Sequence, residues 1–176
     1  AKLRTAVSYF GLLDSDAEKI APDAIRAKAT RLTGALGPIV AAISRLEQGL
    51  PLIQPDSSKG LAWNFLNMVR GKAPNQEEED LMDTALVLHA DHELNASTFT
   101  ARVVASTTSD YYSVVCGALG SLKGPLHGGA NEQVMIMLKE IGSYSEVDAF
   151  IADAVDAKKK VMGIGHRVYK NGDPRA

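Results

Sequence analysis

The chain has 176 residues, with 19 Lys and Arg against 21 Asp and Glu for a formal net charge of −2; 45% of it is hydrophobic and 23% charged. That length suits one domain, or one domain with part of another, and the composition is that of an ordinary soluble protein. The charge balance excludes a global attraction to nucleic acid or to an anionic membrane surface, and no run approaches the roughly 18 apolar residues of a membrane span. No signal-peptide pattern is read at the start. A cytoplasmic protein is expected, with neither nucleic acid nor membrane as partner. Cys116 is the single cysteine, so no internal disulfide can form, and its apolar setting in "YSVVCGALG" predicts a buried, inert thiol.

The apolar period is helical nearly throughout. Leu3, Ala6, Val7, Phe10 and Leu13 recur at three and four, as one buried helix face does. A longer pattern runs from Pro22 to about Gly49, carried by Ile25, Leu32, Leu36, Ile39, Val40, Ile43 and Leu46. Gly37-Pro38 is expected to kink or break it, because proline lacks the N–H and crowds the preceding turn. "GLPLIQPDSSKG" reads as a loop, and Leu61 to about Arg70 as a short helix. Pro74-Asn75 opens the next one. Asn75 and Glu78 have capping-box spacing, and Glu77, Glu78 and Glu79 suit the positive end of a helix dipole. Two more helices are predicted over about 96–106 and 110–122, the first capped by Asn95 or Ser97 and the second by Ser109. Another runs from about Asn131 to Ile141 and stops at Gly142. Ser145 is expected to cap the last, which ends in Lys158, Lys159 and Lys160. Asn171-Gly172 is a turn signal. With no repeat and no sustained alternation, the class is all-α.

Four histidines are the candidates for chemistry. In "LHADHELNAS", His89 and His92 stand three apart, which places them on one side of a helix. The metalloprotease spacing is absent and one cysteine offers little else, so no metal site is expected. Taken alone, the stretch reads more simply as a polar helix end with Asp91 and Glu93 in solvent. In "GPLHGGAN", Gly128 and Gly129 are expected to let the backbone turn sharply beside His127 and to allow close approach of a ligand. The helix that follows disfavours an imidazolium at its start. A neutral ring there can donate a hydrogen bond to a carbonyl that becomes enolate-like. A glycine turn with a capping histidine is the plain alternative. "MGIGHRVYKNGDPR" repeats the arrangement: Gly163 and Gly165 flank His166, and Arg167, Lys170 and Arg175 supply positive charge. Arg175 suits a two-pronged carboxylate contact, although a solvated basic turn would look the same.

Together "LHADHELNAST", "GPLHGGANEQV" and "VMGIGHRVYKNGDPRA", in this order and spacing, resemble citrate synthase of the bacterial and archaeal type. The likeness extends over most of the chain, including "LRTAVS" near the start. It implies an all-helical fold with a large and a small domain, a homodimer, and condensation of acetyl-CoA with oxaloacetate to citrate and CoA. No cofactor and no metal are implied, since the CoA thioester is a substrate. Roles carry over by position. His127 corresponds to the histidine that stabilises the enol, and His166 to the one that polarises the oxaloacetate carbonyl. His92 and Arg175 correspond to oxaloacetate-binding residues. Ser97 corresponds to a serine supporting the histidine at 127, and Asn95 to a helix-start residue nearby. Val161, Met162, Gly163, Ile164 and Gly165 correspond to the loop that contacts the CoA adenine, with Lys170 in place of a CoA-binding arginine. His89 has no counterpart.

The resemblance implies residues 1–126 as part of the large domain and 127–176 as the hinge and the beginning of the small one. It places the aspartate base beyond Ala176, so the chain reads as the central piece of a longer enzyme and is expected to be inactive alone. Three other readings compete: 2-methylcitrate synthase acting on propionyl-CoA, a non-catalytic helical dimerisation module, and a metal-dependent hydrolase using His89 and His92.

Overall fold

The computed structural model describes residues 1–164 and 169–173, and every regular element among them is helical. In chain order these are α1 (Lys2–Leu13), α2 (Pro22–Glu47), α3 (Leu61–Arg70), α4 (Gln76–Leu88), α5 (Ala96–Ala105), α6 (Tyr111–Leu122), α7 (Gly129–Ile141), a 3-10 turn (Tyr144–Glu146) and α8 (Val147–Asp156). The all-α class holds. The chain divides into two compact units, Ala1–Gly120 and Ser121–Ala176.

The first unit is centred on Val7, Leu32 and Tyr112, each almost fully buried, with Leu3, Phe10, Leu36, Val115 and Leu119 packed around them. One residue from each of α1, α2 and α6 therefore meets at the middle. The expected face of α1 is the buried one, except for Leu13, which is 66% exposed. Leu13 is the last residue of its helix, where the chain swings away at Asp14. On α2, Val40 and Leu46 likewise face solvent rather than core.

Of the kink or break expected in α2, the break does not occur. The helix runs unbroken through Gly37-Pro38. A proline ring in a helix crowds the carbonyl four residues earlier, which here belongs to Gly34. That residue has no side chain, and nothing lies within 4 Å of where its Cβ would be. The helix nevertheless continues, at the cost of the one hydrogen bond that Pro38 cannot donate.

The helix ends follow local chemistry closely. α3 stops at Gly71, whose φ of 74° is left-handed, where glycine carries no steric penalty. The capping box at the start of α4 is complete: Asn75 Oδ1 accepts from Glu78 N–H, and Glu78 Oε2 accepts from Asn75 N–H, both at 2.9 Å. Asn95 caps α5 by accepting from Thr98 N–H at 2.9 Å. α6 is capped by Asp110, not Ser109: Asp110 Oδ1 accepts from Tyr112 N–H at 2.9 Å and Ser113 N–H at 3.0 Å.

In the second unit, α7 ends at Gly142 with φ 73°. Ser145 does not cap α8. It lies inside the 3-10 turn, its hydroxyl 2.9 Å from that of Ser143. α8 ends at Asp156, so Lys158–Lys160 follow the helix instead of forming its last turn. The Lys159 N–H closes that end by donating to Ala154 O at 2.8 Å.

Candidate active site

In the first unit the candidate residues cluster between α4 and α5. α4 ends at Leu88, so His89 is its C-cap and His92 lies in the loop beyond. The two rings therefore do not share a helix face. His89 is exposed and its Nδ1 is 2.7 Å from Ala85 O, so it closes the last turn of α4. That agrees with a structural role. His92 is half-buried in a tight segment, where Glu93 N–H donates to Asp91 Oδ1 at 3.1 Å and Glu93 takes a φ of 54°. Asn95 serves as the N-cap of α5, and Ser97 sits in its first turn. The Ser97 hydroxyl donates to Ala118 O of α6 at 3.2 Å. The two helices approach closely at Gly117 of α6, where a Cβ would come within 3.0 Å of Val104 Cγ2 of α5.

His127 is held in the second unit by a turn that joins α6 to α7. Its N–H donates to Gly124 O at 3.0 Å, and Gly129 N–H reaches the same oxygen at 3.3 Å. Gly128 N–H donates to Leu122 O, the last carbonyl of α6, at 3.1 Å. His127 is half-buried, whereas Leu126 beside it is fully exposed. It stands one residue before the N-cap of α7, which has no side-chain cap. The glycines do not act as expected. Gly128 has φ −73° and ψ −11°, an ordinary right-handed conformation, and Gly129 does not have a positive φ either. What Gly128 supplies is space, because a Cβ there would lie 2.2 Å from Leu122 O.

Val161 and Met162 are half-buried, and Gly163 has a left-handed φ of 87°. A Cβ on Gly163 would be 3.6 Å from Val134 Cγ2, so this loop lies against α7. Lys170 is exposed, next to a bend at Asn171. Gly165, His166 and Arg175 lie outside the described residues. Among the described residues no three His, Cys, Asp or Glu side chains gather as a metal ion would require, and no helix is long and apolar enough to cross a membrane. Cys116 is half-buried with Sγ 3.5 Å from Arg4 O. Burial pushes its thiol pKa up, which disfavours the reactive thiolate.

The polar residues that sequence reasoning passed over are structural. Asn64, Lys28 and Arg45 are buried, and Asp14 bonds to Tyr112, which is 98 positions away in the chain. Only Asn64 gave a sign, as a polar residue between Trp63 and Phe65 in a short apolar helix.

All 176 residues match the family model described as "Citrate synthase, C-terminal domain". The chain is 54% identical to a citrate synthase of Deinococcus radiodurans, covering 99% of this chain and 46% of that protein. It is 48% identical to a 2-methylcitrate synthase of Mycobacterium tuberculosis, covering 98% of this chain and 44% of that one. A solved citrate synthase from Thermoplasma acidophilum, in ternary complex with carboxymethyl coenzyme A and oxaloacetate, superposes with a TM-score of 0.84 at 38% identity, over 98% of this chain and 45% of that one. The chain thus spans about half the length of these relatives. By the match over its full length and these identities, it belongs to the citrate synthase family.

Proposed function

We propose that the encoded protein condenses acetyl-CoA with oxaloacetate to give citrate and CoA. The observation that supports this most is the family match over every residue of the chain, together with a His127 held between two helix ends in a turn tied by three backbone hydrogen bonds. In this reading His92, His166 and Arg175 hold oxaloacetate, with His166 drawing charge from its keto oxygen. His127 donates a hydrogen bond to the thioester oxygen. A carboxylate base removes a methyl proton of acetyl-CoA, and the electrons of that C–H bond form the enol. The enol carbon attacks the keto carbon, and the new alkoxide is protonated. Water then cleaves the thioester of citryl-CoA, releasing CoA. The loop 161–165 receives the adenine end of CoA with Lys170 near its phosphates, and Ser97 and Asn95 brace the histidine sites. None of these 176 residues is given the base role, so the chain alone is proposed to be inactive.

The 48% identity to a 2-methylcitrate synthase favours a second reading, the same condensation with propionyl-CoA. Thiol release is measured from acetyl-CoA and from propionyl-CoA with oxaloacetate, and the ratio of kcat/KM separates the two. In either case His127→Ala is expected to lower kcat by about a hundredfold or more, the usual cost of losing one such donor. Near-normal turnover in that variant would remove His127 from the chemistry.

A further inference from the structure

We propose that Gly128 is a positioning residue for His127, acting through its missing side chain. This rests on the reading of His127 given above. The turn passes so close to the end of α6 that a Cβ on Gly128 would lie 2.2 Å from the carbonyl oxygen of Leu122. That oxygen is backbone and cannot rotate away. It also accepts the Gly128 N–H at 3.1 Å, which satisfies a carbonyl that the helix end otherwise leaves open. The hydrogen bond and the close approach are one feature: the turn is drawn onto α6, and His127 is the residue immediately before the point of contact.

Ordinary contact begins at 3.4 Å, so any side chain at 128 must push the turn away by about 1 Å. A displacement of that size at a catalytic group costs on the order of a hundredfold in rate. Gly129 is different. A Cβ there would lie 3.6 Å from Gly124 O and 3.7 Å from Pro125 Cβ, at ordinary contact, and it sits in helical backbone where alanine is preferred over glycine. Two adjacent glycines that look equivalent in "HGGAN" therefore differ in kind.

The test compares G128A, G129A and H127A in the encoded protein, with kcat and the oxaloacetate KM measured separately and folding followed by circular dichroism. G128A is expected to fold, to lose about a hundredfold in kcat, and to keep its oxaloacetate KM, because a merely loosened fold would lower kcat and raise KM together. G129A is expected to behave as the parent. L122A added to G128A clears Leu122 Cδ1 and Cγ, at 2.9 and 3.1 Å, but leaves the carbonyl, so the defect should persist. Normal kcat in G128A beside an inactive H127A would overturn the positioning role alone. So would equal damage in G129A, or recovery with L122A. Full turnover by H127A would overturn both this role and the reading beneath it. Should G128A fail to fold, hydrogen exchange at the Gly128 amide of the parent decides: strong protection supports the contact, and exchange at the unstructured rate overturns it.

Discussion

Lys28 is completely buried, and its ammonium donates to Ala17 O and Lys19 O, both at 2.6 Å. Arg45, 6% exposed, donates from Nε to Pro51 O and from Nη1 to Val69 O at 3.4 Å. Asn64 accepts from Asp56 N–H at 2.7 Å and donates to Asp56 O, Lys59 O and Gly60 O at 2.9 to 3.1 Å. Each fastens a loop by satisfying backbone groups that would otherwise be stranded near the core. Asp14 completes the set. Its side chain is 5% exposed and accepts from Tyr112 Oη at 2.6 Å and Arg31 Nη2 at 2.9 Å. The Tyr112 hydroxyl first, then the Asp16 N–H, holds the Asp14 carboxyl below its usual range against the opposing effect of burial. Burial first, then Asp14, pushes Tyr112 up from 10 to about 12. A raised tyrosine stabilises the fold fully below its unfolded value and loses that contribution as pH climbs through the folded one. Urea midpoints of the chain are therefore expected to fall from about pH 10 to about 12. Tyr112→Phe should flatten that decline, leaving a smaller part from Tyr111, also raised by burial. An unchanged slope in the variant would refute the linkage. At the acid end the sign reverses: the Asp14 contribution is present above the usual carboxylate range and is lost as pH falls through its lowered value.

At the scale of elements, helix starts and stops carry measurable energy. The Asn75–Glu78 box is reinforced by Arg70 Nη2, 2.8 Å from Glu78 Oε1, which links the end of α3 to the start of α4. The Arg70 hydrogen bond, then the Asn75 N–H, holds the Glu78 carboxyl below its usual range. Asn75→Ala is expected to cost about 1 kcal/mol, and for a chain of this length that lowers the thermal midpoint by roughly 3 °C. A scanning-calorimetry midpoint identical to the parent would show that α4 starts without its cap. α6 depends instead on close packing. A Cβ on Gly11 of α1 would meet Tyr112 Cβ at 3.1 Å, and Gly117 is similarly tight against α5.

At the scale of the molecule, the remaining proposal concerns assembly. Tyr9 and Leu12 of α1 are 56% and 78% exposed, and they line an open groove with Arg4, Thr5, Ser8, Cys116 and Gly117. We propose that the encoded protein is a two-fold dimer, the commonest symmetric assembly, with this α1–α6 face within its interface. Sedimentation should give twice the protomer mass at every concentration in the micromolar range, and charged substitutions at Tyr9 and Leu12 should shift it toward monomer. A parent that sediments as a monomer at high micromolar concentration would refute the pairing. Dimeric variants would remove this face from it.

What could be read without coordinates was whatever is decided within one helical turn. The bounds of α3, the capping box of α4 and the Gly142 stop of α7 follow from residues at most four positions apart, because caps and left-handed stops are satisfied locally. The all-α class followed from apolar period. The roles offered for His92, His127 and the residues around them came from a resemblance spread over three segments, not from any local rule. Reasoning from neighbours failed where several local signals compete and where distant atoms decide. Pro38 ends no helix. Asp110 takes the cap from Ser109, because its carboxylate reaches two N–H groups. His89 and His92 part company at the end of α4. Asp14 finds its hydroxyl partner 98 positions along the chain, and only the folded turn shows that Gly128 is needed for its size rather than its flexibility. Burial and close approach are properties of the packed chain, set by which backbone runs past which, and neither periodicity nor capping rules report them.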